Sequence, residues 1–133
     1  MIPATAFLKQ DFTIEEQPTH TYKMDPANRK IIGYTDGREA VEQAIYKILS
    51  TERYQHAMYS WNYGVELLDL YGEPVSYVCP ELERRIAEAL TWDKRIKSVD
   101  SFEFDTSKKG EIRVNCIAHT IFGEVTVEKG VKI

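Results

Sequence analysis

Ala40, Val41, Ala44, Ile45, Ile48 and Leu49 recur at steps of one, three and four residues, the spacing of one face of an α-helix. Arg38, Glu42, Gln43 and Lys47 fall on the opposite, solvated face. Asp36 and Glu39 stand at capping-box spacing ahead of the run, so the helix is predicted to begin at Asp36 and to stop near Ser50. A second stripe, Val78, Leu82, Ile86, Ala89 and Leu90, predicts a helix over 76–92. Ser76 or Cys79 is its candidate cap, and Pro80 is expected in the first turn, where no backbone donor is needed.

Elsewhere the period shortens to two. Val99, Phe102 and Phe104 mark a strand over 96–105, and Ile112, Val114, Cys116 and Ala118 mark another over 111–122. Val125, Val127, Val131 and Ile133 share one parity and predict a last strand, easily placed at a sheet edge. Residues 20–24 and 30–34 are β-rich and flank the turn sequence DPAN, which predicts a hairpin. Residues 53–67 roughly alternate and are predicted to be extended, ahead of a short helical turn at Leu67, Leu68 and Leu70. Residues 1–18 show no period and are expected to form an extended arm before a single domain over 19–133. The fold class is α+β: two main amphipathic helices packed on an antiparallel sheet, with an N-terminal hairpin.

Composition removes several function classes. A net charge of −4 over 133 residues argues against a general nucleic-acid binder. No apolar run reaches the length of a membrane span, and no signal peptide is expected at the N-terminus. Cys79 and Cys116 form no short motif and are expected to be free thiols. His20, His56 and His119 lie far apart, so neither a metal nor a cofactor is expected.

The stretch TERYQHAMYSWNYGVELLDLYG, residues 51–72, is the most unusual in composition. A glycosidase would need two convergent carboxylates, and Glu52 and Glu66 are the nearest candidates. With 21 acids in the chain, such pairs arise by chance. Stacking on nucleic-acid bases would need interleaved cations, and Arg53 stands alone. The rings are therefore expected to wall a core or a protein interface. TWDKRIKSV, residues 91–99, adds Trp92 beside Asp93, Lys94, Arg95 and Lys97 at a helix end, and is either a dipole-compensated terminus or an interface corner.

The order of these pieces resembles a known family. A helix ending ILSTERY, the element SWNYGVELLDLYG, a helix ending EALTWDKRI and the strand SVDSFEFD resemble the baseplate wedge, or sheath-initiator, family of contractile phage tails and phage-like particles. The resemblance spans residues 20–133 and is nearest to small baseplate proteins of Gram-positive phage-like elements. The wider family carries Glu-Pro-Arg where this chain has Asp93, Lys94 and Arg95. The acid and the arginine are kept and the proline is not.

The resemblance implies a structural protein of the virion tail baseplate, assembled in the host cytoplasm, in several copies per ring, about six. It implies docking of Asp93 and Arg95 on larger wedge proteins and strand sharing with the tail sheath protein. Trp92, Trp61, Tyr63 and Gly64 are added as partner-facing positions, and Val125 and Val127 as the edge strand. Arg95 is expected at the surface, and removal of residues 130–133 is expected to leave a folded chain. The alternative is a peptidoglycan-degrading, lysozyme-like hydrolase, a label some relatives have carried. Neither nucleic acid nor membrane is an expected partner.

Overall fold

The computed structural model describes residues 19–133, so the expected arm over residues 1–18 lies outside the described residues. In chain order the elements are β1 (Thr21–Asp25), β2 (Lys30–Thr35), α1 (Gly37–Leu49), a 3-10 turn (Leu68–Leu70), α2 (Val75–Thr91), β3 (Ile96–Asp105), β4 (Glu111–Thr120) and β5 (Gly123–Lys132). The fold is α+β. β1 and β2 form a separate antiparallel hairpin, and the larger sheet is antiparallel in the order β3-β4-β5.

Both helices arise where the apolar stripes place them, and α1 starts at Asp36 as expected, but the capping box of α1 and the start of α2 differ from expectation. The Asp36 carboxylate accepts from the Gly37 N–H at 2.7 Å, which caps α1. Glu39 does not close the capping box; it pairs with Lys23 of β1 at 2.7 Å. The first turn of α2 is organised by the Pro74 carbonyl, which accepts from the N–H groups of Tyr77 and Val78. That start places Pro80 beyond the first turn, inside the helix, and leaves no side-chain cap. The absent Pro80 donor leaves the Ser76 carbonyl without its helical partner.

One apolar core joins these elements. Val41 and Ile45 of α1 and Leu82, Ile86 and Leu90 of α2 meet Ile112, Val114 and Ala118 of β4 beneath them. Residues of opposite parity on β4, Arg113 and Asn115, are exposed, so the helices cover one face of the sheet and the other is solvated. Cys79 and Cys116 are free thiols, and burial pushes Cys116 up to about 11, away from thiolate chemistry.

A two-stranded hairpin is marginal by itself. Here α1 holds it: Gln43 Nε2 donates to the Tyr22 carbonyl and Gln43 Oε1 accepts from the Met24 N–H, both at 2.8 Å. At the other end of the chain, the expectation for residues 130–133 needs correction. Val131 is buried opposite Ile112, and the Ile133 N–H donates to the Gly110 carbonyl at 3.0 Å. Removing this segment would uncover Ile112, so it belongs to the core as well as to the edge.

Candidate assembly surfaces

The aromatic stretch is a closed loop, not an extended segment. Its two ends are tied where the Val65 N–H donates to the Thr51 carbonyl at 3.0 Å and the Arg53 N–H donates to the Val65 carbonyl at 3.2 Å. Arg53 Nε adds a bond to the Gly64 carbonyl at 3.2 Å, and its guanidinium reaches Glu88 of α2 at 3.1 Å. Gly64 makes this neck possible. Its φ is +91°, and a Cβ placed there would lie 2.5 Å from the Thr51 carbonyl oxygen. Positive φ at Tyr54, +71°, and local turns such as Tyr59 N–H to the His56 carbonyl break the alternation that the side chains suggest. The result has the form of an Ω-loop, with ends held together and side chains packed on one another.

Tyr63 packs against the core, while the other rings of the stretch face outward. Tyr54 lies against Trp61 with centroids 5.6 Å apart, and Tyr59 stacks on Tyr63 at 4.5 Å. Trp61 is 79% exposed, and Tyr54, Met58 and Tyr59 are exposed as well. From Tyr54 to Asn62 the loop carries no Asp, Glu, Lys or Arg. An exposed, charge-poor cluster of Tyr and Trp has the composition of a protein contact surface.

Beside this loop lies the corner at the end of α2. Trp92 is 56% exposed and rests its Nε1 3.4 Å from Glu88 Oε1. Tyr63, Gly64, Trp92 and Asp93 border one cleft of about 260 Å³ whose floor includes Ile48 and Ala89. Arg95 grips Asp93 with two bonds, Nε to Oδ1 at 3.0 Å and Nη2 to Oδ2 at 2.6 Å. These side chains are only 22% and 16% exposed, so Arg95 is not the free surface arginine that was expected. Burial pushes the Asp93 carboxyl up, but the Arg95 guanidinium and the Arg95 N–H outweigh it and hold it below the usual range. The pair braces the corner from within, while Trp92 stands outside it.

The larger sheet has two unlike edges. β3 departs from regular register twice against β4, between Ile96 and Ser98 and between Asp100 and Glu103, and Ser101 sits at φ +55°. Such bulges blunt an edge. β5 keeps unbroken register with β4 from Gly123 to Lys132. Val125 and Val127 are 3% and 5% exposed and face the core, so only their strand, not their side chains, is available to a partner. The outer side of β5 opens on a groove of about 510 Å³ shared with α1, where Ile45, Tyr46 and Leu49 face the strand. Arg38 reaches across its end and donates from Nη2 to the Glu124 carbonyl at 2.9 Å. Sequence reasoning placed Arg38 on a solvated face and had no signal for this long-range bond.

The two candidate acids are differently placed. Both carboxylate oxygens of Glu52 accept from the Leu67 N–H, at 2.9 and 3.1 Å, and Oε1 also accepts from the Leu68 N–H at 3.1 Å. Glu52 therefore caps the 3-10 turn. Glu66 is exposed beside Arg53, Arg84 and Arg85. Among the described residues no three His, Cys, Asp or Glu side chains are grouped to hold a metal ion.

Comparison with known proteins agrees with the resemblance. The family described as contractile injection system sheath initiator matches residues 10–123, a span that ends where β5 begins. The phage-like element PBSX protein XkdS of Bacillus subtilis (strain 168) is 34% identical over 128 residues, covering 90% of this chain and 89% of that protein. Among the described residues no helix is long and apolar enough to cross a membrane. The chain belongs to the contractile injection system sheath initiator family, a family of structural components of contractile tails.

Proposed function

We propose that this protein joins the baseplate through the Trp92 corner and the aromatic loop, and starts the sheath by accepting a strand from the sheath protein along β5. The observation that carries the reading is the regular outer edge of β5, which opens on a groove of mixed polar and apolar lining. An incoming strand would pair with its backbone and lay alternate side chains against the exposed ring of Tyr46. The larger wedge proteins would meet Trp92, Trp61 and the exposed rings near them, with Gly64, Tyr63 and the Asp93–Arg95 pair holding that surface in shape. Several copies, about six, would stand in one ring, as closed rotational symmetry requires equal contacts around an axis.

A substitution at an outward position of β5 tests the edge. Glu128 lies on the solvated face, and parity from Glu124 aims its N–H away from β4. Proline there removes a donor that the intramolecular ladder does not use. Particles carrying Glu128→Pro are expected to assemble baseplates that electron microscopy shows without sheaths. Normally sheathed tails would exclude this edge as the starting point.

The hydrolase reading finds little support in the placement of its acids. Glu52 spends its oxygens on backbone N–H groups, and a general acid needs a free one. The purified protein is expected to leave the turbidity of a peptidoglycan suspension unchanged. Clearing that disappears in Glu52→Gln or Glu66→Gln would instead establish an enzyme.

A further inference from the structure

The outward parity of β5 follows from its two ends. The Glu124 carbonyl faces α1, since Arg38 reaches it, and the Ile133 N–H faces β4, since it bonds to Gly110. In an antiparallel strand the N–H and C=O of one residue point to the same side, and successive residues alternate. Thr126, Glu128, Gly130 and Lys132 therefore share the outward side with Glu124, while Val125, Val127, Lys129 and Val131 bond to β4. Of the outward carbonyls, that of Glu124 is occupied by a charged side chain.

We propose that Arg38 is a register stop: it closes the Glu124 end of the groove, so that a strand entering along β5 pairs from Thr126 onward and no further. This rests on the strand-sharing reading and adds to it where the partner strand must end.

Three features make Arg38 suited to the task. It sits in the first turn of α1, a rigid element, rather than on a loop. Its Nε lies 3.5 Å from Glu42 Oε1, one turn along, which anchors the guanidinium over the groove mouth. Its bond to the Glu124 carbonyl is charge-assisted, and a neutral backbone N–H is a poorer competitor for that oxygen. A one-residue slip of the partner would turn every side chain to its other face, so a fixed end has a direct use. Pairing from Thr126 would keep one parity of the partner strand against Tyr46, the exposed ring of the groove.

Amide exchange measured by NMR tests this on the full chain, free and with purified contractile-tail sheath protein. In the parent protein, sheath protein is expected to slow exchange at Thr126 and Glu128 by about tenfold or more and to leave Glu124 unchanged. With Arg38→Ala, Glu124 is expected to become protected too. Arg38 is largely exposed, and slow exchange at Val125 and Val127 reports that the variant is folded. Protection of Glu124 in the parent, or none in the variant while Thr126 is protected, would overturn the stop alone. Absence of any β5 protection in the parent would overturn strand sharing on this edge and the stop together.

Discussion

Gly64→Ala is expected to lower the unfolding free energy by about 3 kcal/mol, read as a shifted urea midpoint at unchanged slope. Two causes add. An L-residue at φ +91° carries backbone strain on the order of 1–3 kcal/mol. The new methyl would also lie 2.5 Å from the Thr51 carbonyl oxygen and 3.2 Å from the Arg53 nitrogen, both backbone atoms that cannot swing aside. Gly72→Ala separates the causes. Gly72 has a similar φ of +85° with nothing near the added carbon, so its cost is expected to be about 1 kcal/mol, from strain alone. Equal costs at the two sites would mean that the tight neck is not what demands glycine at 64. The neck also presents the aromatic loop, so Gly64→Ala chains that remain folded should enter baseplates poorly.

Arg95→Ala is expected to cost about 2 kcal/mol near neutral pH, because it leaves the part-buried Asp93 carboxylate without its partner. The size should depend on pH. In the parent protein the folded Asp93 pKa lies below its ordinary value. Its contribution is therefore present above the ordinary carboxylate pKa and lost as pH falls through the depressed folded value. Without the Arg95 side chain, burial is opposed only by the backbone N–H of residue 95, and the balance shifts toward the protonated acid. The gap between parent and variant should then be widest at neutral pH and shrink below about pH 4, where the unfolded carboxylate also takes up its proton. Thermal melts across that range measure it. Asp93→Ala in the Arg95→Ala background should restore part of the loss, since the remaining defect is the stranded charge. A constant gap at all pH values would mean that Arg95 acts through its alkyl chain.

These two sites show where sequence was informative. Helices and strands were legible because burial on one face imposes a period, and the stripe from Ala40 to Leu49 and the alternation from Ile112 to Ala118 carry that period directly. The loop from Tyr54 to Tyr63 misled because alternation of ring and polar residues imitates a strand, while its shape is set by backbone bonds at its neck. Pro80 was placed too early because the first turn of α2 is organised by the Pro74 carbonyl, which no side-chain pattern reports. Trp92, Tyr63, Gly64 and Asp93 were singled out and do border one cleft. The inward pairing of Arg95, the capping role of Glu52 and the reach of Arg38 to Glu124 were not legible. Each joins a side chain to atoms supplied by the fold rather than by its neighbours in sequence.

If β5 accepts a strand as proposed, the unequal edges of the larger sheet give that sheet a valence of one. A sheet with two receptive edges could join copies of itself without limit, and such a head-to-tail contact either closes into a ring or runs on as a fibre. The bulges in β3 spoil one of those two ends. On that reading the sheet would accept a strand on one flank and hand none onward from the other, so it would terminate a series of paired strands instead of propagating it. Growth by strand addition would then acquire a direction, set by a kinked strand at the edge far from β5.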